Sequence, residues 1–266
     1  MSENTTADTP HLHVEQDGHV AIVTLNEPPA NTWTLDSLTD FRKLLDELAE
    51  DDTVWALVIM SANDRFFSAG ADLNQFADVD GYQASTMAKA FGAAFEALSA
   101  FPGLTVAAIN GWTMGGGLEL ALACDLRVAD KDTTMALPET GVGLLPCAGG
   151  TQNLTRLVGE GWAKRMILCG ERIKAPHALT IGLVEEVADS ISQAKTRALT
   201  LAQAACKQSP MAVASCKTLI QHTRSGDHAS ALMRERDLFV DLFRTKDQKE
   251  GVAAFLEKRT PKWQNQ

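Results

Sequence analysis

The chain has 266 residues, 45% apolar and 22% charged, so it can bury a sizeable core and is neither fibrous nor disordered. Its 24 basic and 34 acidic side chains leave a net charge of −10, which argues against nucleic acid or an anionic membrane as partner. Apolar runs stop short of the ~18 residues a membrane helix needs, and the polar residues 1–10, read as a flexible tail, lack the apolar stretch of a signal peptide.

Residues 12–17 and 19–25 read as a hairpin around Gly18. After a loop bearing Pro28-Pro29, apolar residues at Leu38, Phe41, Leu44, Leu45 and Leu48 predict a helix over 35–50. Continuous apolar runs at 54–60 and 104–109 have the character of buried parallel strands. Between them lie a Gly/Ala-rich loop at 66–73 and a helix over 82–100. Gly115-Gly116-Gly117 opens a helix to about residue 123, 126–129 returns to strand, and 138–150 reads as loop. Helices at 151–158 and 161–169 precede a short strand at 183–187.

Beyond residue 190 the pattern is helical throughout: 191–207, 210–223, 228–243 and 246–258, with Ser209 as an N-cap before Pro210. Strand–helix alternation up to that point argues an α/β core over 11–190. Residues 191–266 form an appended helical module, either an association surface or a packed lid. The five cysteines (Cys124, Cys147, Cys169, Cys206, Cys216) show no metal-ligand or CxxC spacing. They read as reduced, mostly buried thiols of a cytoplasmic protein.

Two segments fall at strand carboxyl ends, where open α/β sheets place ligands: Phe67-Ser68-Ala69-Gly70-Ala71-Asp72-Leu73 and residues 110–119. The glycine triplet leads into a helix whose first N–H groups are free to hold an anion. Neither GxGxxG nor the P-loop Lys-Ser/Thr is present, so a single developing charge such as an enolate oxygen suits this turn better than a phosphate. Glu119 follows Gly116 by one helical turn, and Glu139 stands at the start of the later loop. Two carboxylates near such a turn can divide acid and base roles. Equally, Glu119 can serve the helix N-terminus electrostatically while Glu139 is solvated.

Residues 67–73, 110–119, 124–127, 137–139, 146–152 and 250–259 together resemble, in order and spacing, the motifs of the enoyl-CoA hydratase/isomerase (crotonase) superfamily. The resemblance spans about residues 12–262. It implies a crotonase-like spiral of ββα turns with a C-terminal helical association module, assembled as a homotrimer or a dimer of trimers. It also implies acyl-CoA substrates, with coenzyme A part of the substrate and no metal or further cofactor.

The matching positions for the N–H groups that hold the thioester oxygen are Ala71 and Gly116. Family members that hydrate 2-enoyl-CoA carry both glutamates, and this chain has both. By resemblance Glu139 delivers the C2 proton, while Glu119 orients and activates water. Ala30, Ala69, Asp72 and Leu73 fall at coenzyme A positions. The basic residue common in the first contact loop is replaced by Pro28-Pro29, so the phosphates need another partner, such as Lys258 reaching a neighbouring subunit. A solvated helix end is the alternative for Lys258. The helix over 82–100 is expected to wall the acyl pocket, with Trp112, Leu118 and Leu144. Met87, Phe91 and Phe95 there point to an apolar acyl group of short or medium length. A Δ3,Δ2-enoyl-CoA isomerase, an RNA-binding or other binding protein of the same fold, and a scaffold subunit of an oxidation complex are the competing readings.

Overall fold

Successive apolar runs fold into repeated turns of one spiral, seen in a computed structural model that describes residues 9–266. The first turn comprises β1 (Leu12–Asp17), β2 (Val20–Leu25), β3 (Thr32–Trp33) and α1 (Leu35–Glu50). The second holds β4 (Ala56–Ser61), β5 (Phe66–Ser68), β6 (Gly70–Ala71) and α2 (Gly81–Ala100). The third is β7 (Leu104–Ile109), β8 (Trp112–Met114) and α3 (Gly116–Ala123). The fourth is β9 (Leu126–Asp130), β10 (Thr134–Ala136) and α4 (Gly150–Leu168). Then come β11 (Ile173–Lys174), α5 (Ala175–Thr180), β12 (Glu186–Ala188), α6 (Ile191–Ala205), α7 (Pro210–His222), α8 (His228–Leu242) and α9 (Lys246–Glu257).

The first turn gives the larger sheet its hairpin, and the second, third and fourth turns each add one strand to the larger sheet and one to a smaller sheet. The larger runs β1-β2-β4-β7-β9-β12, parallel except for the β1–β2 hairpin. The smaller runs β11-β10-β8-β5, parallel except at β11, and β3 pairs separately with β6. The main core fills one face of the large sheet with Leu38 and Phe41 of α1, Phe91 and Phe95 of α2, and Leu118 and Leu120 of α3. Local chemistry sets the helix starts. Thr34 and Ser37 exchange hydrogen bonds as a capping box for α1, as do Asp80 and Gln83 for α2. Ser209 caps α7, accepting from the Ala212 amide.

On the other face, Ala194, Ala198 and Ala202 of α6 pack against Val20, Val58, Val106 and Val128. Alanines one turn apart let that helix lie close on the strands. By its packing α6 thus belongs with the sheet, although the boundary read from sequence places it in the helical module. The segment 1–8 of the expected tail lies outside the described residues; Thr9 exchanges backbone hydrogen bonds with Leu12.

Other elements differ from the sequence expectation. Residues 66–73 form β5 and β6 rather than loop, and α5 and β11 have no counterpart in the periodicity. The strand pieces are two or three residues long, too short to carry a period, and a neighbouring strand fixes them instead. Only Cys124 is buried; Cys147, Cys169 and Cys216 are exposed and Cys206 is half-buried, all as free thiols. The expectation of mostly buried cysteines is corrected, since these positions face outward from loops and helices.

Candidate active site

The site begins where β6 passes the start of α3. Gly70 has φ +90°, and a Cβ there would sit 2.8 Å from the Met114 carbonyl oxygen and 3.1 Å from the Gly116 nitrogen. A Cβ on Gly117 would lie 2.4 Å from the Ser68 carbonyl oxygen. Both segments therefore need glycine to approach, and the approach brings Ala71 and Gly116 to one wall. Gly116 is the first residue of α3, so its N–H has no acceptor within the helix. Around Ala71 the amides are spent on structure: Ala69 N–H donates to the Ala30 carbonyl (2.9 Å) and Asp72 N–H to the Trp33 carbonyl (3.0 Å).

Glu119 lies on the first turn of α3 and is 2% exposed. Its Oε1 accepts from the Ala148 amide (2.8 Å) and the Gly150 amide (2.9 Å). The 146–150 loop thus holds the carboxylate in place. Burial pushes its pKa up, and the two amides pull it back only in part. Glu139 opens a short 3₁₀ turn, Glu139–Val142. Its Oε2 is buried without a hydrogen-bond partner. Burial first, and the charge of Glu119 second, push its pKa up to about 7.

The two carboxyl groups, Gly116 and Ala71 share a cavity of about 660 Å³. Its remaining wall is mainly apolar, with Leu73, Phe76, Ala84, Ala88, Phe91, Val142, Leu144, Leu145 and Cys147. Partial desolvation at Cys147, followed by the charges of Glu119 and Glu139, pushes that thiol up to about 11. It stays protonated and is a poor nucleophile near neutral pH. A more open recess of about 800 Å³ lies among Met60, Asp130, Asp189 and Lys195, but neither glycine-bearing segment reaches it.

Of the residues singled out in the sequence, Ala69, Ala71, Leu73, Gly116, Glu119, Glu139 and Leu144 meet at this cavity. Ala30 lies behind it as an acceptor, and Asp72 caps the following 3₁₀ turn through the Asn74 amide. Lys258 ends α9 in a left-handed conformation and does not line the cavity.

Three acyl-pocket expectations are corrected. Leu118 is wholly buried in the core, because one residue of helical rotation turns it away from the face that carries Glu119. Trp112 opens β8 at the end remote from the Gly115 turn and is 36% exposed, with the Arg172 guanidinium over its ring. Phe95 likewise packs with Trp33, Phe41 and Phe91 in the core. Phe76, Ala84, Ala88, Val142 and Cys147 were not foreseen individually. The spacing of Ala84, Ala88 and Phe91 on one face of α2 was the available signal.

An open spiral of ββα turns, with a buried carboxyl pair set against a glycine-built helix start, is the architecture of crotonase-type proteins. The family model described as enoyl-CoA hydratase/isomerase matches residues 15–266, and the chain belongs to that family. It is 56% identical to the solved structure of DspI from Pseudomonas aeruginosa, with a TM-score of 0.94, covering 98% of this chain and 100% of that one. It is 39% identical over 252 residues to the 2,3-dehydroadipyl-CoA hydratase of Escherichia coli, covering 94% of this chain and 97% of that protein. It is 36% identical over 247 residues to the short-chain-enoyl-CoA hydratase of Clostridium acetobutylicum, covering 92% and 94% respectively.

Proposed function

We propose that this chain is a hydro-lyase that adds water across the double bond of 2-enoyl-CoA thioesters in acyl-CoA degradation, giving 3-hydroxyacyl-CoA. The observation that carries this reading is the pairing of Glu119 and Glu139 in one apolar cavity beside Gly116. Hydration needs a proton donor and a water-activating base together, whereas a proton shuttle between C4 and C2 needs only one base. The paired carboxyl groups therefore favour hydration over isomerisation.

In the proposed reaction Glu119 holds a water and accepts its proton as the oxygen bonds to C3. The π electrons of the C2–C3 bond move toward the thioester oxygen, held by the N–H groups of Ala71 and Gly116. Glu139 delivers its proton to C2. A pKa of about 7 keeps a substantial fraction of Glu139 in the acid form at neutral pH. One preorganised oxyanion donor is typically worth about 10²–10³ in rate. Only protons and one C–O bond change hands, so the step calls for no redox group.

Ala69 and Leu73 lie where coenzyme A would enter, with Ala30 and Asp72 shaping that wall. Lys258 serves a phosphate only if a second copy brings it near. Exposed Ile220, Phe239, Phe243, Phe255 and Leu256 on the last helices support self-association, with a homotrimer or a dimer of trimers as the proposed form. Among the described residues no helix is long and apolar enough to cross a membrane.

The test is loss of ultraviolet absorbance from crotonyl-CoA with purified protein and with Glu139→Gln. Rapid loss that the substitution abolishes is expected. Persistent turnover in the variant would remove Glu139 from the mechanism, and 3-enoyl-CoA turnover without hydration would reverse the choice of reaction.

A further inference from the structure

Ser68 closes β5 and is wholly buried. Its Oγ donates to the Asn31 carbonyl (2.7 Å) and accepts from the Gly70 amide (3.1 Å). Asn31 is itself 4% exposed and has φ +50°, a left-handed conformation that asparagine tolerates better than most residues. Its Nδ2 donates to Ser61 Oγ (2.8 Å) and to the Phe67 carbonyl (2.9 Å), and its Oδ1 accepts from the Glu27 amide (2.8 Å). Those bonds hold the Asn31 backbone, and its carbonyl in turn orients the Ser68 hydroxyl.

Ser68 also touches both arms of the glycine-built wall. Its hydroxyl holds the Gly70 amide, one peptide before the Ala71 N–H. The Asp72 amide, one peptide after, is held by the Trp33 carbonyl (3.0 Å). The peptide that carries the Ala71 N–H therefore lies between two anchored ones. On the other arm, a Cβ on Gly117 would stand 2.7 Å from Ser68 Cβ, so Ser68 sets how near the start of α3 comes. Ser68 does not line the cavity, and both bonds of its hydroxyl go to backbone, so it has no acid or base role there.

We infer that Ser68 is a positioning residue for hydration: its hydroxyl, set between the Gly70 amide and the Asn31 carbonyl, aims the Ala71 N–H at the thioester oxygen. This inference rests on the hydratase reading of the cavity. A donor stabilises the developing enolate fully only when its direction is set before reaction. Without the hydroxyl the Gly70 amide and the Asn31 carbonyl lose this buried partner, and Gly70 has the backbone freedom to turn.

The experiment is isotope-edited infrared difference spectroscopy of butyryl-CoA carrying a ¹³C label in its thioester carbonyl, bound to wild type, Ser68→Ala and Ser68→Cys. Crotonyl-CoA kinetics are measured in parallel. Butyryl-CoA has no double bond to hydrate, so its carbonyl is read without turnover. Hydrogen bonds from the two amides should lower the carbonyl stretch in the wild type relative to free butyryl-CoA. Ser68→Ala should keep about half of that lowering, the share of the surviving Gly116 donor. Ser68→Cys, whose thiol is a weak partner, should fall between the two. In Ser68→Ala kcat should drop about 10- to 100-fold with KM little changed.

A full carbonyl shift and wild-type kcat in the variants, with only a lower urea midpoint, overturns the inference and leaves Ser68 a packing residue. A wild-type stretch equal to that of free butyryl-CoA overturns it as well. Cysteine fills nearly the same space, so Ser68→Cys carries the test if Ser68→Ala does not fold. Absent crotonyl-CoA hydration beside a carbonyl shift that the substitutions diminish would count against the hydratase reading alone.

Discussion

Replacing Glu139 by Gln should cost activity and change how stability depends on pH. In the fold its carboxyl titrates at about 7, raised from 4.5 chiefly by burial. A raised carboxyl contributes stability fully below its unfolded pKa and loses it as pH climbs through the folded pKa. At about 1.4 kcal/mol per pH unit, moving from pH 5 to pH 8 would cost the wild type at most about 2.5 kcal/mol at this site. The carboxyl retains some solvent contact, so about 1–2 kcal/mol is the expected size. Glutamine carries no such titration. Urea unfolding at pH 5 and pH 8 should therefore show Glu139→Gln gaining about 1–2 kcal/mol relative to wild type at the higher pH. Over the same range hydration by the wild type should fall about tenfold per pH unit above 7, as the acid form of Glu139 is lost. The variant should be slower by about 10²–10⁴. Parallel stability profiles for the two proteins would refute the buried acid, whatever the activity loss.

Glu119→Gln keeps an oxygen to accept from the Ala148 and Gly150 amides, so activity should fall about 10²–10⁴ while the urea midpoint barely moves. A large drop in the midpoint would make Glu119 a structural residue first. Gly70→Ala forces a Cβ within 2.8 Å of the Met114 carbonyl at a left-handed φ; about 1–3 kcal/mol of stability and most of the activity should be lost, as denaturant titration and kinetics would read. Lys217 of α7 donates to Asp125 Oδ2 (2.7 Å) and the Gly103 carbonyl (2.9 Å), and its side chain is 10% exposed. Lys217→Met removes the opposite charge and leaves Asp125 Oδ2 only the Thr105 amide and hydroxyl as donors, which should cost about 3 kcal/mol in thermal or urea unfolding, with a change under about 1 kcal/mol contradicting the pairing.

Much of this protein was already legible from local order. Continuous apolar runs marked the strands of the large sheet, and helical spacing marked α1, α2 and the last four helices, because a buried face must repeat with the element's own period. The glycine triplet, Glu119 and Glu139 were visible as residue types that chemistry needs, and the order of motifs pointed to the family. Tertiary structure alone decided what those residues meet. The smaller sheet consists of two- and three-residue strands whose existence depends on neighbours from other turns of the spiral. Only the fold brings Glu139 beside Glu119, lays the 146–150 amides on Glu119, and withdraws Leu118 and Trp112 from the cavity in favour of Phe76, Ala84 and Ala88. A side chain's direction follows from the rotation of its own element, but what it faces depends on where distant elements pack, and no spacing along the chain records that.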